Sequence, residues 1–194
     1  MTFRALADSF SKVENLPIRV DDVLLWIREK TDHCDITLHG VQRGHKAYRG
    51  AFRRKAVPAG QPYSGEFDII TQILYGEDLD EDWKRLVIVK EALHVFDVQG
   101  ARVDHPDKLR KLIPAIISSE LRGAPFLPAI NDSFGPLKAM AVLLPASARH
   151  KLAAAIEAGT RSAEEVAQFV KLPEYYVDLW IKFGDEIDPL LDAV

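Results

Sequence analysis

Beyond Lys84 and Arg85 at its start, four polar residues, Lys90, Glu91, His94 and Asp97, interrupt the largely apolar stretch WKRLVIVKEALHVFD that runs from Trp83 to Asp97. A carboxylate and an imidazole three residues apart can move a proton between them or hold a cation. The stretch has no proline or glycine, and Trp83, Leu86, Val87, Ile88, Val89, Leu93, Val95 and Phe96 cover most of a helical wheel. A helix that is apolar nearly all round is a buried helix. At about 100° per residue, Lys90, His94 and Asp97 fall close together and Glu91 lies to one side. Buried charges must be paired or bound to something, so this polar stripe is the chief functional lead in the chain.

Its frame matches a metal-binding pattern. In H-E-x-x-H, two histidines one turn apart bind zinc and the glutamate between them is the general base. Here the frame reads Lys90-Glu91-Ala92-Leu93-His94. One ligand and the base are in register, and lysine holds the other ligand position. Lysine binds a metal only as the neutral amine, which is scarce at neutral pH. Losing one protein ligand is expected to lower metal affinity severely.

The elements that must position this stripe follow from the rest of the chain. Residues 3–13 and 21–31 read as two helices, broken at Asn15-Leu16-Pro17, with Asp21 or Asp22 as cap of the second. From Cys34 to Ile73 the pattern changes to alternating Ile36-Thr37-Leu38-His39, a run punctuated by Gly40, Gly44 and Gly50, and a second alternating segment, Phe67–Ile73. This predicts a small sheet with hairpins or short crossings. The acidic turn YGEDLDED complements the dipole of the helix that follows. Beyond the loop Gln99–Asp107, which carries His105, a helix is expected over Lys108–Arg122 with Pro114 inside it. Another ends near Leu144-Pro145. Ala146–Gly159, Ala163–Val170 and Glu174–Phe183 then read as three helices, the second opened by the capping signature Ser162-Ala163-Glu164-Glu165.

Two groups have plainer readings. Arg43, Lys46, Arg49, Arg53, Arg54 and Lys55 form a basic segment without an acid, which is either a nucleic-acid patch or a charged sheet edge that discourages self-pairing. The edge reading is favoured, because the chain as a whole is acidic. His33, Cys34 and His39 have poor spacing for a shared ion and read as structural or surface residues. Arg149 and His150 are expected on a solvated helix face. Trp180, Tyr175 and Tyr176 read as core or interface.

The 194 residues suit one domain with a small appendage, and the 47% hydrophobic and 28% charged content is that of a globular protein. A net charge of -4 gives no general attraction to nucleic acid or anionic membrane. No apolar run approaches the roughly 20 residues needed to span a bilayer. The N-terminal segment lacks the layout of a signal peptide. The lone Cys34 agrees with a cytoplasmic location.

The order of elements and two motifs resemble the ImmA/IrrE family of cytoplasmic, zinc-metallopeptidase-like proteins. One motif is Trp83–His94, similar to the family's lead-in to its H-E-x-x-H helix. The other is Ala139-Met140-Ala141-Val142-Leu143-Leu144-Pro145, similar to a small-residue segment ending in Leu-Leu-x-Pro or Leu-Met-Pro. The resemblance covers most of residues 67–183. It implies an α+β, zincin-like domain over 1–145 and a helical, helix-turn-helix-like extension over 146–194. It also implies His94 as a zinc ligand, Glu91 as general base, Asp132 as third ligand and Lys90 at the first ligand position.

With lysine there, the expectation is a site filled by its own cation. The Lys90 ammonium would lie among Glu91, Asp97 and Asp132, with no bound cofactor and no peptidase activity. The protein would then act by recognising a regulator or repressor-like partner. The second helix of the terminal pair offers Glu174, Tyr175, Tyr176 and Asp178, which suit a protein contact better than DNA. The alternative is an active hydrolase holding zinc or another divalent metal through an altered ligand set, with Glu91 as base.

Overall fold

The computed structural model describes residues 1–31, 33, 35–42, 49–58, 65, 67–97 and 127–192, without the side chains of 127–133 and 192. Among these residues the chain is a mixed α+β fold. Two helices, α1 (Phe3–Phe10) and α2 (Val20–Lys30), precede strands β1 (Asp35–Val41), β2 (Gly50–Pro58) and β3 (Phe67–Gly76). Helices α3 (Glu81–Leu93), α4 (Leu127–Leu143), α5 (Ala146–Glu157), α6 (Ala163–Val170) and α7 (Glu174–Ile187) follow. The helix predicted over 108–122 and the loop with His105 lie outside the described residues.

Both N-terminal helices form, burying Phe3, Leu6, Phe10, Val23, Leu24 and Ile27, but the first ends at Phe10, three residues before the expected end. The cap of α2 differs from expectation. Arg19 is the N-cap residue, and Asp21 and Asp22 sit in the first turn, where their charge complements the helix dipole without capping.

The sheet has the order β1-β3-β2, with β1 parallel and β2 antiparallel to the central β3. Its register sets Phe52 opposite Ile73, both buried, so one apolar row faces the helices. Thr71 is also buried on β3. Its hydroxyl meets Nδ1 of buried His33 at 2.7 Å, which satisfies both polar groups inside the core.

The helix α3 lies at the centre. Leu86, Val87, Val89, Ala92 and Leu93 are buried, and α4 packs along it through the small and apolar run Ala139–Leu144. Small residues let the two helix axes approach closely. Arg85 leaves α3 sideways. Its Nε donates to the carbonyl of Lys171 at 3.0 Å and its Nη2 to that of Ile18 at 2.7 Å, and partial burial lowers its pKa.

Of the last three helices, α7 packs against α4, and α5 and α6 pack against α7. Ser162 and Glu165 form a reciprocal capping box at the start of α6, as their spacing predicts. Trp180 of α7 is buried, and its Nε1 donates to the carbonyl of Leu144 at 2.8 Å. Tyr176 is half-buried and Tyr175 exposed. His150 is exposed as expected, but Arg149 is not. Its guanidinium is buried over Trp180, donates to Asp185, and lies flat on Gly184, where any side chain would occupy the same space. A glycine one helix away made room for the charge. No helix among the described residues is long and apolar enough to cross a membrane.

Candidate functional site

One face of α3 lies beneath the first residues of β2. The Arg49 guanidinium, just before the strand, stacks 3.6 Å from the Trp83 ring centroid. Gly50 meets Val87 and Glu91, and the Phe52 ring lies 5.8 Å from that of His94. Residues 83, 87, 91 and 94 share this face because they recur at helical spacing. Gly50 permits the close approach. A methyl group there would be 2.5 Å from Cγ1 of Val87 and 3.0 Å from Cγ and Oε1 of Glu91. From the other side, α4 presents Gly135, where a methyl group would be 2.9 Å from Cγ of Lys90. Two glycines thus let a strand and a helix close over the polar stripe.

The stripe forms a chain with Glu91 at its middle. Lys90 Nζ donates to Glu91 Oε1 at 3.0 Å. The other carboxylate oxygen, Oε2, faces His94 Nε2 at 3.6 Å. On its far side His94 Nδ1 meets Asp97 Oδ2 at 2.7 Å. The Lys90, Glu91, His94 and Asp97 side chains are 15%, 4%, 16% and 9% exposed, so the whole chain is largely desolvated. In a low-dielectric setting such contacts are stronger than in water, and leaving one unmade is costly.

The sequence pattern set Glu91 to one side and grouped Lys90, His94 and Asp97. The structure makes Glu91 the hub instead, for two reasons. The lysine stem is covered by α4 at Gly135, which turns its ammonium toward Glu91. The α-helix also stops at Leu93, before the expected end at Asp97, and residues His94–Phe96 form a 3₁₀ turn. In that tighter winding residues three apart eclipse, which brings His94 and Asp97 together.

Asp132 lies on α4, one turn before Gly135, but its side chain falls outside the described ones. His33 is a buried partner of Thr71, and His39 is exposed and bonded to Thr37, while Cys34 lies outside the described residues. The described residues of the basic segment, which lie on the edge strand β2 and just before it, do not share one face. Arg49 covers Trp83, Arg53 and Lys55 point to one face of the sheet and Arg54 to the other, and Arg43 and Lys46 lie outside the described residues. Sequence reasoning missed Gly50, Phe52 and Gly135 as site residues. A glycine inside a strand signals close backbone approach, so Gly50 carried a usable sign.

Family models, curated proteins and solved structures offer no match to this chain. The functional reading stands on the geometry and on the motifs alone. Among the described residues, no group of three or more His, Cys, Asp or Glu side chains is arranged to hold a metal ion.

Proposed function

We propose that this chain is a degenerate zincin-like protein of the ImmA/IrrE type, non-hydrolytic, acting in regulation by recognising another protein in the cytoplasm. The observation that carries this reading is the 3.0 Å contact between the Lys90 ammonium and Glu91. A general base must be open to a proton from water, and here the carboxylate is held on one oxygen by a cation and faced on the other by an imidazole. The described donors do not fit zinc. His94 is the stripe's one imidazole, lysine stands at the other helical ligand position, and an ammonium already neutralises the carboxylate. By resemblance α6 and α7 form a helix-turn-helix-like pair, and the acidic and aromatic residues on α7 suit a protein contact better than a nucleic acid.

The second reading is a metal-dependent hydrolase with Glu91 as general base. One observation favours it. A carboxylate on Nδ1, as Asp97 is on His94, is the arrangement that aims the other ring nitrogen of a ligand histidine at a cation.

Elemental analysis decides between them. Chelator-treated protein is incubated with zinc, manganese or iron, then freed of unbound ions. The first reading expects no retained metal and no cleavage of a casein substrate. About one equivalent of metal, lost in His94→Ala, would overturn it, and abolition of hydrolysis by Glu91→Gln would establish the second.

A further inference from the structure

A row of contacting groups, exposed at both ends, lies where α3 and α7 begin. Arg49 lies on one side of Trp83. Tyr176 meets Trp83 edge-on at 5.7 Å and 84°, and Tyr175 meets Tyr176 at 5.3 Å and 81°. Trp83 and Tyr176 are half-buried, and Tyr175 at the end is 70% exposed. The two helices begin with acids at this place. Asp80 stands at the N-cap position of α3 without a side-chain capping bond, Asp82 lies in its first turn, and Glu174 opens α7. Glu81 is paired with Lys84, whereas Asp80, Asp82 and Glu174 have no ion-pair partner among the described residues.

We propose that this aromatic row is a docking surface for an arginine-bearing segment of a partner protein. The chemistry is already present in the chain. The exposed Arg49 seats its guanidinium on Trp83, the first ring of the row, and the exposed Tyr175 presents a further ring to solvent with Glu174 beside it. A guanidinium stacks on an aromatic face and pairs with carboxylates at its edge, so aromatic rings next to unpaired acids favour arginine. Lysine, a compact and strongly hydrated ammonium, gains less from the rings. The surface deepens the recognition half of the proposed function without depending on the state of Glu91. Metal analysis tests the site and peptide binding tests this surface, so the two can fail separately.

The test is fluorescence anisotropy of labelled hexa-arginine and hexa-lysine peptides with the full chain at physiological salt. Hexa-arginine is expected to bind more tightly than hexa-lysine. Tyr175→Ala, which leaves every charge in place, is expected to weaken hexa-arginine binding by roughly tenfold. Glu174→Gln is expected to weaken it severalfold. Equal affinity for the two peptides, undiminished binding by Tyr175→Ala, or no binding of hexa-arginine would each overturn the proposal.

Discussion

Lys90 donates to Glu91, its immediate neighbour in sequence, at 3.0 Å inside the protein. Adjacent helical residues leave the axis about 100° apart, so the contact exists because packing bends one side chain toward the other. Removing the ammonium leaves a carboxylate that is 4% exposed without its cation. Lys90→Met is therefore expected to destabilise the fold by roughly 3–5 kcal/mol in urea denaturation. Glu91→Gln keeps the shape and removes the charge, and is expected to cost less, about 1–3 kcal/mol. A Lys90→Met protein as stable as the parent would show that the pair does not hold this region.

The two glycines over the stripe should respond differently. At Gly50 an added methyl group meets Val87, a stiff branched side chain, and the buried Glu91. Gly50→Ala is expected to cost about 1–3 kcal/mol. At Gly135 the obstacle is the flexible stem of Lys90, and alanine gains about 1 kcal/mol of helix propensity there. Gly135→Ala should be near neutral. Thermal midpoints of the two variants measured side by side check the contrast.

Lys171 adopts a left-handed conformation, φ 55 and ψ 54, at the end of α6. Side chains with a β-carbon pay for that conformation, and glycine does not. Lys171→Gly is expected to raise stability by about 1 kcal/mol, read as a higher urea midpoint at unchanged slope. The carbonyl that receives Arg85 belongs to the backbone and is kept.

Acid should weaken the junction of α5 and α7. Hydrogen bonds from His150 and then Arg149 hold the Asp185 carboxyl below its ordinary pKa. The unfolded chain then binds the proton more readily than the folded one. The contribution is complete above the ordinary aspartate range and is lost as pH falls through the lowered value. Asp185→Asn should therefore flatten the acid limb of a stability-against-pH curve while leaving its neutral slope alone. A parent curve with the same acid limb would contradict the assignment.

What the sequence made legible was periodicity. Helices α1, α2, α3, α5, α6 and α7 follow from apolar spacing, breaks and the Ser162–Glu165 cap, and the polar stripe follows from its isolation within an apolar run. The basic run Arg53-Arg54-Lys55 reads as a charged sheet edge, and β2 is indeed an edge strand, although those charges mask its alternation and leave its bounds unread. The hub role of Glu91 could not be read from a helical wheel. It depends on where α4 crosses Lys90 and on the 3₁₀ turn at His94, and both are set by tertiary packing. The burial of Arg149 likewise depends on Gly184, thirty-five positions later in the chain.

Arg85 grips two main-chain carbonyls, those of Ile18 and Lys171, and no side chain of either loop. For Arg85 itself the side chains at these positions are immaterial, although Ile18 and the neighbouring Leu172 are held by their burial in the core. The polar constraint of this junction therefore falls on Arg85 and on two backbone paths. Lysine cannot stand in for Arg85, since one ammonium does not offer the two diverging donors that a planar guanidinium does.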